Sequence, residues 1–271
     1  MTTSRKMNGL AIRDGHATRL ARHLAEEVAI ALVYQQTTQA VLMSTPSDLE
    51  DLATGFSLTE GIVAHGGEIE SLEIAAHEKG IELRMWIAGE RAARLAARRR
   101  YMAGPVGCGL CGIDSLEEAQ RSVPTLPKAD CRFDAATLAR APDALRQHQS
   151  LHDRTGAVHA AGFLGPEGTI VMAREDVGRH NALDKLVGAL AREGIDGRRG
   201  AIVMTSRVSI ELVQKCAMAR VPLLVAVSAP TVQAVRLAEA SGIALAGSAR
   251  EGRFELFADP CRIVSEPVDR P

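Results

Sequence analysis

No apolar run among the 271 residues approaches the roughly 20 needed to span a bilayer, so no partnership with a membrane is expected. Net charge is scarce too. The 32 basic and 33 acidic residues leave −1, a balance that points neither to nucleic acid nor to an acidic membrane surface. Cysteines number only five, and Cys131, Cys216 and Cys261 are scattered. An odd, dispersed set is no secreted disulfide framework and suits a reducing cytoplasm where thiols stay free. The P-loop signature is missing, which removes an ordinary nucleotide kinase or ATPase. None of the eight histidines begins an H-x-E, so the general acid/base of a zinc deaminase is lacking. There is no internal repeat or low-complexity segment. The stretch Met1 to Met7 has no apolar signal-peptide core and is expected to be a loose tail.

What is present suffices for a real core. At 46% hydrophobic, the chain has room for one large or two modest domains. The alternation of Val28, Ile30, Leu32 and Tyr34 predicts a strand, and Thr38 to Ser44 a second. Thr45-Pro46 offers an N-cap with proline at the first helical position, for a helix to Glu60-Gly61 that turns Leu49, Leu52, Ala53 and Phe56 inward. Ile69 to His77 and Ile81 to Ile87 predict a hairpin, and Glu90 to Arg100 an Ala/Arg-rich helix. The Pro-bounded stretch Val123 to Lys128 reads as a linker, so the expected division is an α+β domain over 1–127 and an α/β domain over 128–271. Beyond the linker, helices are predicted over 134–148, 178–193, 209–219 and 231–241. Strands are predicted over 157–164, 169–174, 201–205, 222–227 and 243–246, a grammar of βαβ units under a helical cover.

Cys108-Gly109-Leu110-Cys111-Gly112 is the densest chemical signal. Such a pair serves redox exchange, half a metal site, or carriage of a reactive sulfur. Gly107, Gly109 and Gly112 match G-x-G-x-x-G, but Arg98 to Pro105 before them is no buried strand, so dinucleotide binding is set aside. A closed zinc site needs four ligands, and no second C-x-x-C exists, although His159 or His180 would reach from afar. Thioredoxin-like exchange and persulfide carriage remain, and spacing alone does not separate them. The nearby Arg91, Arg94, Arg98, Arg99 and Arg100 suit either a thiolate-stabilising surround or a solvated helix face.

A second constellation runs from Glu175 to Lys185 at a predicted strand-to-helix junction, where ligands collect in α/β sheets. His180 and Asp184 share a helix face at i,i+4, for which a plain side-chain contact is the simplest account. Thr205-Ser206-Arg207 ends the next strand. A cleft lined by Arg179, His180 and Arg207 would suit phosphates, for which bidentate arginine is the usual tool.

These motifs together resemble the FdhD family, formate dehydrogenase accessory sulfurtransferases, over nearly the whole chain beyond the N-terminal tail. The resemblance rests on Thr45-Pro46-x-Asp48-Leu49-Glu50, Gly55-Phe56, Thr59-Glu60-Gly61-Ile62, the Cys108/Cys111 pair and Thr155-Gly156-x-Val158-His159-Ala160-Ala161. It continues through Glu175 to Lys185, Ser206-Arg207 with Glu211-x-Val213-x-Lys215, Ser228 to Thr231, and Gly252-Arg253. It implies a cytoplasmic homodimer that takes persulfide sulfur from a cysteine desulfurase. The sulfur goes to the bis-guanine dinucleotide form of the molybdenum cofactor, for formate dehydrogenase. Cys108 would carry the persulfide and Cys111 assist. The cofactor, a carried substrate and no protein-bound metal, would meet Ser248, Ala249, Arg250, Glu251, Gly252 and Arg253. The resemblance also implies a three-layer αβα C-terminal domain similar to cytidine deaminases without their zinc site. Val28 after Glu26-Glu27 and Gln35-Gln36 in place of Asn-Gly depart from the family in turn chemistry, and Ser248-Ala249 departs in the cofactor loop. The alternative is a thiol-redox or zinc-binding regulatory module built on the C-x-x-C.

Overall fold

A computed structural model describes residues 1–102, 123–127, 131–259 and 262–264. The N-terminus is no loose tail. β1 (Ser4–Arg13) and β2 (His16–Ala25) pair antiparallel over ten residues each, around Asp14-Gly15 with φ of 50° and 81°. Asp-Gly with both residues at positive φ is the turn that matches strand twist, a local signal strong enough to order this end.

A four-stranded sheet follows, ordered β4-β3-β6-β5, from β3 (Val28–Tyr34), β4 (Thr37–Ser44), β5 (Ile69–His77) and β6 (Gly80–Ile87). Its period-two pattern turns Ile30, Leu32, Tyr34, Ile81, Leu83, Met85 and Ile87 into one core. Gln35 and Gln36 both adopt positive φ in the β3–β4 turn, and the Gln35 side chain bonds both Ile87 backbone groups, which offsets part of that strain. Two helices complete this half, α1 (Leu49–Thr59) and α2 (Gly89–Met102). Leu52, Ala53 and Phe56 point into the core as the sequence predicts. Thr45 does not cap α1, however. The helix starts three residues beyond Pro46, after Asp48 in the left-handed region, because Thr45 is engaged elsewhere.

The C-terminal half is built on a six-stranded sheet ordered β13-β12-β11-β10-β8-β9. Its members are β8 (His159–Leu164), β9 (Ile170–Asp176), β10 (Ala201–Met204), β11 (Leu223–Ala226), β12 (Ala244–Arg250) and β13 (Arg253–Ala258). β10, β11 and β12 are parallel, while β8, β9 and β13 add antiparallel flanks. Alternate residues feed opposite faces. Ala201 and Val203 meet Leu138, Ala141 and Leu145 of α3 (Ala135–Arg146). Ile202 and Met204 meet α5 (Arg179–Arg192), α6 (Ile210–Met218) and α7 (Val232–Ser241), which gives three layers. The short α4 (Ser150–Thr155) has no counterpart in the sequence reading, and β7 (Phe133–Asp134) pairs with β14 (Ile263–Val264).

Two further expectations change. The strand predicted to end at Ala246 continues to Arg250 and returns as β13, so 248–253 forms a hairpin rather than an open loop. Along the presumed linker, Leu126 is buried in the C-terminal core and its N–H donates to Ser241 O at 2.8 Å. Lys128 lies outside the described residues.

Candidate functional site

The two halves meet where α1 crosses α5 at backbone contact. A Cβ on Gly55 would stand 1.7 Å from Asp184 O, and one on Gly188 would stand 1.9 Å from Asp51 O. Only glycine at both positions lets the helices come this close. Buried charge flanks the crossing. Asp176 and Lys185, neither exposed at all, pair at 2.6 Å. Asp176 also accepts from Ser44 Oγ, Thr45 N, Gly178 N and Asn181 Nδ2, while Lys185 donates to Thr45 O. Thr45 Oγ1 accepts from Val177 N, which is the engagement that removes it from helix capping.

Further along α1 and α5, Lys215 of α6 donates to Asp184, Glu60 and Thr59, at 2.7–3.1 Å, and lies over the Phe56 ring. Burial pulls the Lys215 pKa down, but Asp184 and Glu60 more than reverse it and keep the ammonium charged. Burial pushes Asp184 up, since it shares that single cation with Glu60. A third group joins Asp51 to Arg174 and Arg192. Much of the polar 175–185 motif is therefore a fastener. Asp176, Asn181, Asp184 and Lys185 bind the halves together, and Glu175 accepts from the Leu151 and His152 amides of α4. The expected His180–Asp184 contact is replaced by Asp184's bonds to Thr59 and Lys215.

Arg179 and His180 stay outside that fastening. They open α5 at the carboxyl edge of the parallel strands, where open α/β sheets bind ligands. Arg207 follows β10 at the same edge and is exposed. Burial, then Arg179 and Lys215, bring the His180 pKa from 6.5 to about 4, so the ring is a neutral hydrogen-bonding group. Burial and Arg179 likewise lower His159, whose ring stands 3.5 Å from Thr205 Oγ1. Among the described residues, Arg179 Nε is buried with no hydrogen-bond partner, and so is Glu211 Oε2. Burial pushes the Glu211 carboxyl up, yet the Ser209 hydroxyl, its own N–H and the Arg179 guanidinium prevail and hold it low.

The 248–253 segment leaves this edge two strands away from β10, about 10 Å across the sheet. Glu251 (φ 54°) and Gly252 (φ 72°) form its two-residue turn. Arg250, Glu251, Gly252 and Arg253 are exposed, Arg253 lies 3.5 Å from Glu251, and Ser248 Oγ donates to Glu255. Ala249 is buried in the sheet core. Arg179, His180 and Arg207 thus share an edge with the root of this hairpin. Sequence reasoning passed over Ser209 and named Thr205, His159 and Glu211 without placing them in the phosphate cleft; the polar Thr205-Ser206-Arg207 run after a buried strand was the available signal. Cys108, Cys111 and Cys261 lie outside the described residues. Among the described thiols, burial pushes Cys216 up to about 12 and also raises Cys131.

A mixed-sheet α/β scaffold with a polar, arginine-bearing carboxyl edge, carrying a C-x-x-C in its sequence, defines the class. The FdhD/NarQ family matches residues 25–264, and the chain belongs to that family. A sulfur carrier protein FdhD from Agrobacterium fabrum is 44% identical over 260 residues, covering 96% of both chains. Another from Brucella abortus biovar 1 is 49% identical over 261 residues, covering 96% of this chain and 97% of that one. The crystal structure of a protein described as a formate dehydrogenase accessory protein, from Desulfotalea psychrophila, shares the fold. Its TM-score is 0.75 at 24% identity, over 97% of this chain and 100% of that one.

Proposed function

We propose that this protein is a sulfurtransferase that carries persulfide sulfur on Cys108. The sulfur passes from a cysteine desulfurase to the guanine-dinucleotide form of the molybdenum cofactor, for formate dehydrogenase. In the loading step the Cys108 thiolate attacks the terminal sulfur of the donor persulfide. A new S–S bond forms at Cys108, the donor's S–S bond breaks, and the donor cysteine leaves as a thiolate, so no external oxidant is needed. Cys111 assists as the second thiol of the pair. Cys216 is passive, being buried and held as a thiol.

One observation carries the substrate half of this reading. The carboxyl edge gathers Arg179, whose Nε has no partner among the described residues, the neutral His180 and Arg207 beside the projecting Arg250–Arg253 turn. That donor chemistry fits the phosphates of a guanine dinucleotide, and guanidinium groups bind them through paired N–H donors. The relatives named as sulfur carriers support the sulfur half.

Two measurements test the reading. With a desulfurase and cysteine, intact-mass spectrometry is expected to find one added sulfur atom on wild type and none on Cys108→Ala; retention of the sulfur by the variant refutes the assignment. In calorimetry with GDP, Arg253→Ala is expected to weaken binding roughly tenfold or more, since a charged hydrogen bond contributes about 1.5–3 kcal/mol. Persulfide loading should be unchanged in that variant. Equal GDP affinity makes the hairpin structural.

A further inference from the structure

The amino edge of the parallel strands, opposite Arg179 and His180, carries a cavity of about 650 Å³. Arg199 stands two residues before β10 and Pro222 directly before β11, so the cavity lies a strand length, roughly 13 Å, from the carboxyl edge. Its volume falls in the range of small-molecule sites. One wall is apolar and stiff, built from Leu126, Pro127 and Pro222. Proline fixes its own backbone, and Leu126 is held by its N–H bond to Ser241 O and by the C-terminal core. Cys131 belongs to the same lining, and its Sγ donates to Arg199 O at 3.2 Å. Burial raises that thiol's pKa, so it offers the cavity a neutral, polarisable surface rather than a charge.

The other side is cationic. Among the described residues that line the cavity, Asp196 is the one carboxylate, and Arg198 occupies both of its oxygens at 2.7–3.0 Å. Arg199 and Arg220 line it without an ion pair among the described residues, so two guanidinium charges there are uncompensated. A Cβ on Gly200 would stand 2.2 Å from Phe163 Cζ and 2.5 Å from Leu164 O, so Arg199 is carried on backbone held against the sheet. Arg220 follows α6 in the left-handed region, at φ 57°. Glycine takes that backbone without strain; the arginine accepts it, and strained residues of this kind gather at ligand sites. We propose that the amino-edge cavity binds a small aromatic phosphate ester, its phosphate held by Arg199 and Arg220 and its ring laid on the proline–leucine wall. Paired guanidinium N–H donors match phosphate oxygens. A rigid ring on a preformed wall surrenders less freedom than a flexible chain would. Neither Arg179, His180 nor Arg253 takes part.

The test is calorimetry on the full chain with naphthyl phosphate. Wild type is expected to bind it, and inorganic phosphate or naphthol, each supplying half of the contact, should bind roughly tenfold or more weakly. Arg199→Gln with Arg220→Gln changes only exposed side chains and should weaken the ester roughly tenfold or more. Arg220→Gly relieves the left-handed strain, so it should hold or raise Tm while still weakening the ester, which separates lost binding from lost folding. Iodoacetamide labelling of Cys131, followed by peptide mass spectrometry, locates the ligand: saturating ester should slow it several-fold in wild type and not in the double variant. No binding by wild type, equal affinity in the double variant, either half-ligand binding as tightly as the ester, or a Cys131 labelling rate that the ester leaves unchanged would each overturn the proposal. The last outcome includes an ester held at the carboxyl edge instead. GDP calorimetry reads that edge separately, so failure there is distinguishable from failure here.

Discussion

Gly188→Ala tests the backbone-to-backbone crossing of α1 and α5 most directly. In an exposed helix the change is favourable by about 1 kcal/mol, because alanine surrenders less backbone entropy than glycine. Here the new methyl would stand 1.9 Å from Asp51 O, 2.7 Å from Asp51 C and 2.8 Å from Gly55 N. These are backbone atoms and do not rotate away. To reach ordinary contact the helices must part by about 1.5 Å, and overpacking of this kind typically costs about 1–3 kcal/mol. Parting the helices also stretches the Asp51–Arg192 pair, because Asp51 lies directly at the crossing. With the helix-propensity gain set against this, a net loss of about 1 kcal/mol is expected, which lowers Tm by about 3 °C in a protein of this size. Differential scanning calorimetry makes the measurement. Gly89→Ala is the control, since nothing stands within 4 Å of its added methyl, and its Tm should hold or rise slightly. A Gly188→Ala protein as stable as wild type would show that the helices do not touch there.

Two further substitutions address the buried charge and the neutral histidine. Lys185→Met leaves Asp176 buried without its cation, which costs about 3–5 kcal/mol, read as a lower urea midpoint; a midpoint near wild type would mean that the pair is solvated. His180 binds a proton near pH 4 when folded but near 6.5 when unfolded, so its contribution is full above pH 6.5. That contribution is lost as pH falls toward 4, by about 3 kcal/mol over the full shift. His180→Gln should flatten that part of the stability–pH profile, and a profile of unchanged slope would contradict the neutral assignment.

Strand and helix positions were legible because periodicity reports burial. The alternation of Ile30, Leu32 and Tyr34 and the helix-length segments after Asp134 recur in the structure with ends shifted by a few residues. Local chemistry misled where tertiary bonds compete for the same atoms. Thr45-Pro46 is a sound cap in isolation, yet Val177 N and Asp176 take the Thr45 groups. The 175–185 motif reads as a binding cluster because sequence displays charge but not the partner. Lys215, thirty-one residues beyond Asp184, and Ser44, 132 before Asp176, convert half of it into structure. Arg179 and His180 kept the predicted edge position because the strand-to-helix junction fixes it locally. The β12–β13 hairpin was missed because its turn residues, Glu251-Gly252, follow a bulge at Ser248 that breaks the alternation.

The charge groups that join the halves bear on how such a protein can be recombined. Ser44, Asp51 and Glu60 come from the N-terminal half, while Asp176, Arg192 and Lys215 come from the C-terminal half. Removing one member of a buried pair is costly, whereas replacing a whole set by well-packed neutral residues is often tolerated. A chimera joining the first half of one relative to the second half of another should therefore fold only when both parents use the same charge sets and the same pair of crossing glycines. The two halves are coupled as one packing unit, whatever their separate sheets suggest about modularity.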